Sequence, residues 1–227
     1  EKFIKANIFL SLENKDKSKE LYEEIIKSKN KFYSILALNM ILEKGLENNE
    51  DKIRDYLHCN YLNNIQAKNE IGLNYHFECE PKEFGDTEGY LDIKIFNANI
   101  LTNPSEYYII ECKRIDNKNL RGLHGFNAKY ISEGIMRFVN KRYSVFHRVN
   151  GMIGFVVENV DIAANINNIN YLIENSFPHS NTTDLLERFN GINNFEYLYK
   201  STHNTNVNET FKLFHLMLNF SNNISLN

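Results

Sequence analysis

Gly89-Tyr-Leu-Asp92-Ile-Lys-Ile-Phe96 and Tyr107-Tyr-Ile-Ile-Glu111-Cys-Lys113 are the two segments that decide how this chain folds. Both are rich in aromatic and β-branched residues, and the polar stretch between them holds Asn103 and Pro104, so they read as strands joined by a turn. Successive side chains of a strand point to opposite faces. Glu111 and Lys113 therefore share one face and Ile110 and Cys112 the other. On the first strand Leu91, Ile93 and Ile95 share a face, with Asp92 opposite them. Paired as a hairpin, the strands bring Asp92 to Glu111 and Lys113.

Two neighbouring carboxylates repel each other unless a cation lies between them. Mg²⁺ prefers hard oxygen ligands and is commonly held by one or two carboxylates, waters and a substrate phosphate. A lysine beside such an ion can orient a water or stabilise developing negative charge. The set suits hydrolysis of a phosphodiester. The plainer alternative is a sheet with solvent-facing charges.

The arrangement resembles the PD-(D/E)XK nuclease superfamily. Asp92, Glu111 and Lys113 match its motif, and Leu91 stands where the family has proline. The likeness runs from about residue 51 to 157 as helix, strands, helix and strand. It implies an α/β fold, a restriction-endonuclease-like central mixed sheet flanked by helices. It implies a Mg²⁺-dependent nuclease, with Mn²⁺ as an alternative ion, acting on DNA, with RNA left open. Restriction or phage defence in a bacterial cytoplasm is the implied setting. Asp92, Glu111 and the backbone carbonyl of Cys112 would hold the metal, and Lys113 would assist the water nucleophile. By location alone, Arg114, Arg121, Lys129, Tyr130 and Arg137 are expected along the phosphate backbone. The rival reading is an inactive nucleic-acid-binding or protein-interaction module on the same fold.

At 227 residues, 42% hydrophobic and 24% charged, the chain can bury a substantial core. No apolar run is long enough to cross a bilayer. Cys59, Cys79 and Cys112 are odd in number and lack metal-type spacing, which fits a reducing compartment. Glu1 begins the chain in place of a methionine, which leaves open that it is a fragment. The net charge of −3 argues against a wholly basic coat. Charge is nevertheless uneven: residues 113 to 148 hold nine Lys or Arg against Asp116 and Glu133, a local +7. A basic segment beginning at the proposed site is where a phosphate backbone would need it.

Residues 1 to 50 read as helices resembling a tetratricopeptide-type hairpin, either a structural cap or a protein-docking element. The run Asn48-Asn-Glu-Asp51 is taken as the boundary with a nuclease-like domain over 51 to 227. A helix is expected over 52 to 68, with neither Asp55 nor Glu70 assignable to the site. A strand follows over 73 to 79; Glu80 is either a supplementary carboxylate or an exposed strand-end charge. After Lys113 come a polar connection with Arg121 and His124, and then a helix over 126 to 141. On that helix Tyr130, Glu133, Arg137 and Lys141 form one side. Residues 151 to 157 read as a buried strand beside the Glu111 strand. Helices are expected at 161 to 175 and 181 to 190, and strands at 195 to 202 and 211 to 220. His203 and His215 read as structural, and the Ser- and Asn-rich end is expected to fray. A homodimer stays open.

Overall fold

The computed structural model describes residues 45–65, 68–69, 75–83, 89–96, 107–145, 147–190 and 195–225. Residues 1 to 44, and with them the expected helical hairpin, lie outside this set. A seven-stranded mixed sheet forms the frame, in the order β1 (His76–Cys79), β4 (Ile93–Phe96), β5 (Tyr107–Ile115), β6 (Val149–Val156), β9 (Thr210–Asn219), β8 (Leu198–Asn204) and β7 (Thr182–Arg188). β6 runs parallel to both β5 and β9, and the remaining pairs are antiparallel. A separate two-stranded ribbon pairs β2 (Lys82–Glu83) with β3 (Gly89–Tyr90). Among the described residues no helix is long and apolar enough to cross a membrane.

Side-chain alternation along the central strands feeds two cores. Ile109 and Ile115 of β5, Met152 and Val156 of β6, and Phe211, Leu213 and Met217 of β9 belong to the first. Over them lie α2, residues 126–139, and α3 (Ile162–Asn175). Ile131, Ile135, Phe138 and Val139 of α2 are fully buried there, each contributing roughly 1.5–3 kcal/mol of apolar burial. Cys112, Ile153, Phe155 and Leu218 face the second core, closed by Ile53, Leu57, Tyr61 and Leu62. Ile53 and Leu57 lie on α1 (Glu50–Leu57), and Tyr61 and Leu62 on its π-helical continuation His58–Leu62. The wider turn replaces Asn60 with Leu62 on the buried side of the expected 52–68 helix.

Four expectations change. Residues 182–188 form a strand, not a helix. β7 pairs with β8, its Leu186 enters the first core, and Asn170 of α3 bonds both the amide and the carbonyl of Leu186 at 3.0 and 2.9 Å. Leu91 and Ile93 lie in different cores, because the chain bends at Asp92 between β3 and β4 and breaks the strand alternation. Lys141 is no part of α2, which ends at Val139, and it pairs with Glu209 at 3.0 Å. The C-terminal stretch is docked as far as Ser225, with Ile224 bridged to Leu46 and the Ser225 amide 2.8 Å from the Leu46 carbonyl.

Candidate active site

Four elements meet at the middle of β5. Glu111 and Lys113 leave the strand on the α2 face, as the alternation requires. Asp92 reaches them from the bend before β4. Its Oδ2 accepts from the Cys112 amide at 2.7 Å, tying the bend to the neighbouring strand. Glu50 arrives from the first turn of α1, which begins there because Asn49 caps it, accepting from the Lys52 amide at 3.2 Å. Lys113 Nζ lies 2.8 Å from Glu50 Oε1, 2.6 Å from Glu111 Oε1 and 2.8 Å from the Cys112 carbonyl. Glu50 Oε2 also accepts from the Arg114 amide at 3.1 Å.

Glu111 is fully buried, and the chain surrounds it with donors. Tyr143 donates to its Oε2 at 2.6 Å, and Arg137 lies 3.1 Å from each carboxylate oxygen. Arg137 also donates to the Tyr143 hydroxyl. Even so, Glu111 Oε1 receives no well-directed hydrogen bond. Burial, followed by the Asp92 charge, pushes the Glu111 carboxyl up to about 7, although Lys113 and Arg137 pull the other way. Burial alone would lower Lys113, but Glu111, Glu50 and Asp92 hold it above the ordinary lysine value. The ammonium is therefore permanent at neutral pH.

Asp92 Oδ1 is held by Arg54 Nη1 at 3.0 Å. Arg54 is itself buried and pairs with Asp51, Asp55 and Glu80 at 2.8–3.2 Å. Six carboxyls thus face three cations, Arg54, Lys113 and Arg137, and the cluster as a whole is short of positive charge.

No family model, curated protein or solved structure matches this chain. What the site can do rests on its own geometry.

The structure brings Asp92, Glu111, Lys113 and the Cys112 carbonyl together, and it adds Arg137 as a direct partner of Glu111. The other residues expected at a phosphate are differently engaged. Tyr130 is fully buried and its hydroxyl meets His215 Nδ1 at 2.8 Å, so it faces the core and not a ligand. The cause is a π-helical turn, Tyr130–Ile135, that rotates Tyr130 and Arg137 onto different sides of α2. The same turn sets Gly134 over Lys113, where a Cβ would meet Lys113 Cγ at 3.5 Å and Met152 Cε at 2.5 Å. Arg114 stacks over Phe126 at 4.5 Å and bonds Asn48, clamping the start of α1 to β5. Arg121 lies over Tyr171 at 4.4 Å and donates to Asn168 on α3. Lys129 is exposed. Glu80 is a partner of Arg54. His203 and His215 lie in a buried chain, Thr182–His203–Ser201–His215–Tyr130, with links of 2.6–3.0 Å.

Glu50, Arg54 and Tyr143 were not singled out from the sequence. For Glu50 a signal was available: Asn49 followed by two acids is a helix start, which places position 50 at a helix end and not in a linker. Nothing local marks Arg54 or Tyr143.

Among the described residues no group of three or more His, Cys, Asp or Glu side chains is arranged to hold a metal ion. The donors do fit a divalent ion by type. Two carboxylates and a carbonyl converge on the Lys113 ammonium within 2.8 Å, and one of those oxygens is buried without a directed hydrogen bond. One or two carboxylates with the remaining positions left to water and phosphate is the usual Mg²⁺ provision.

Proposed function

We propose that this chain is a metal-dependent nuclease with a restriction-endonuclease-like core, hydrolysing phosphodiester bonds in DNA. The observation that carries the reading is the convergence of Glu50, Glu111 and the Cys112 carbonyl on Lys113 Nζ, with Asp92 held one strand away through the Cys112 amide. The element order supports it too: a helix, three antiparallel strands β1, β4 and β5, helix α2, and β6 parallel to β5.

Glu50, Asp92, Glu111 and the Cys112 carbonyl would hold Mg²⁺, which supplies positive charge to offset that on a phosphoryl oxygen. Lys113 keeps its proton and presents an ammonium where negative charge develops on the phosphate. Arg137 and Tyr143 fix the plane of the Glu111 carboxylate. Glu50 orients Lys113. A structural ion-pair network is the competing reading, favoured by the hold of Arg54 on Asp92. A cleavage assay on single-stranded and duplex DNA with Mg²⁺ or Mn²⁺, comparing wild type with Lys113→Ala, separates the two. The nuclease reading expects cleavage that falls by roughly 10²–10³-fold in the variant. Equal rates in both proteins remove the role given to Lys113.

A further inference from the structure

The Glu111 face of the sheet opens toward its β1 edge. Ile109 and Glu111 in β5 are buried, Lys94 and Phe96 in β4 are half-buried, and His76 and Glu78 in β1 are exposed. The register lines these residues up in rows. His76, Phe96 and Tyr107 are cross-strand partners, as are Glu78, Lys94 and Ile109. Directly paired residues of a sheet project from the same face. Tyr107 lies four residues from Glu111 on the same strand, about 13 Å away along it. Tyr90 is tied to Glu111 through Tyr143. The Tyr143 hydroxyl lies 2.6 Å from Glu111 Oε2 and 3.0 Å from the Tyr90 carbonyl, sharing one proton between two acceptors. Tyr90 is 58% exposed.

Cations accompany these rings. Lys94 Nζ stands 4.3 Å from the centroid of Tyr107 and 5.8 Å from that of Phe96. Lys82 Nζ stands 5.7 Å from that of Tyr90, and His76 stacks on Phe96 with an interplanar angle of 23°. Among the described residues neither Lys82 nor Lys94 has a carboxylate within salt-bridge distance. Glu78 is the acidic neighbour in the Lys94 row.

We propose that Tyr90, Phe96 and His76, with Lys82 and Lys94, form a stacking platform for the unpaired bases of single-stranded nucleic acid entering the candidate active site. This rests on the nuclease reading for its destination but not for its chemistry. Every base has a π face that an exposed ring can cover, and stacking of this kind tolerates any sequence. In a duplex those faces are already stacked and beyond reach of the rings. The two ammoniums supply complementary charge to the phosphates between stacked bases, on a chain whose net charge of −3 would otherwise repel a polyanion.

The test is fluorescence anisotropy on the full chain, with a labelled oligothymidine and a labelled hairpin duplex, in EDTA so that no strand is cut. Wild type is expected to prefer the single strand. Tyr90→Leu and Phe96→Leu should each weaken single-strand binding by roughly 5- to 150-fold while leaving duplex binding as it was. Lys94→Gln should weaken binding and flatten its salt dependence by about one phosphate contact. Circular dichroism checks folding; should Phe96→Leu fail to fold, Tyr90→Leu, altered in an exposed side chain, carries the test together with Lys94→Gln. Absence of binding, a preference for duplex, or ring variants that bind as wild type does would overturn the platform. A protein that binds single strands through these rings and cuts nothing keeps the platform and loses the nuclease reading. One that cuts duplex DNA unaffected by the ring variants does the reverse.

Discussion

Replacing Arg54 by methionine retains an apolar stem and removes the guanidinium. Arg54 is 2% exposed, and its Nη1 is 3.0 Å from Asp92 Oδ1. Of its four carboxylate partners only Asp92 is buried, with a side chain 12% exposed, while those of Asp51, Asp55 and Glu80 are at least half exposed. The three exposed pairs contribute less than about 1 kcal/mol each. The main loss is at Asp92, which keeps the Cys112 amide as a donor but lacks its cation. Stranding a buried charge this way costs about 3–5 kcal/mol. Asparagine at 92 needs no cation and still accepts from Cys112, so Arg54→Met/Asp92→Asn should recover to within about 2 kcal/mol of wild type. Urea denaturation at pH 7.5 of the wild type, both single variants and the double variant measures the cycle. A loss under about 1 kcal/mol in Arg54→Met, or a double variant no more stable than that single one, would show that Asp92 does not depend on the Arg54 cation.

Tyr143→Phe leaves the edge-on ring contact with Phe138 and deletes the 2.6 Å bond to Glu111. It should cost about 1–3 kcal/mol by urea denaturation, and a neutral substitution would contradict the place given to that hydroxyl. The buried histidines predict a loss of stability in acid. Burial lowers His203 from 6.5 to about 4, and it also holds His215 well below its ordinary value. Below about pH 6.5 the unfolded chain takes up protons that the folded chain refuses. The histidine contribution is therefore full above that pH and falls as pH drops toward 4, by about 3 kcal/mol for His203 alone. Glu111, pushed up to about 7, titrates in the same window with the opposite sign, so the His203 part is read as the difference between wild type and His203→Asn in thermal unfolding from pH 7.5 to 4; parallel profiles for the two proteins would count against a neutral buried His203.

The strand bearing Glu111 and Lys113 was legible because it is rich in aromatic and β-branched residues, and α3 because its apolar period and Asp161 cap coincide. Glu50 escaped because its partner is 63 residues away in sequence and polar neighbours made it look like linker. Tyr130 and Arg137 were placed on one side of α2 by the 3.6-residue period, and the π turn between them undoes that period without a marker in the residues. Residues 182–188 carry the adjacent leucines and acidic start of a helix, and become a strand only because β8 and Asn170 offer partners. That outcome lives in tertiary contacts and not in local propensity.

A nuclease of this kind requires Glu50, Asp92 and Glu111 to grip a divalent ion. Calorimetric titration of Mn²⁺ into the full chain, its Asp92→Asn variant and its Glu50→Gln variant measures that grip. One saturable site is expected in the wild type, weakened about tenfold or more in each variant. Absence of binding heat, or one affinity shared by all three proteins, would mean that these carboxylates hold no metal.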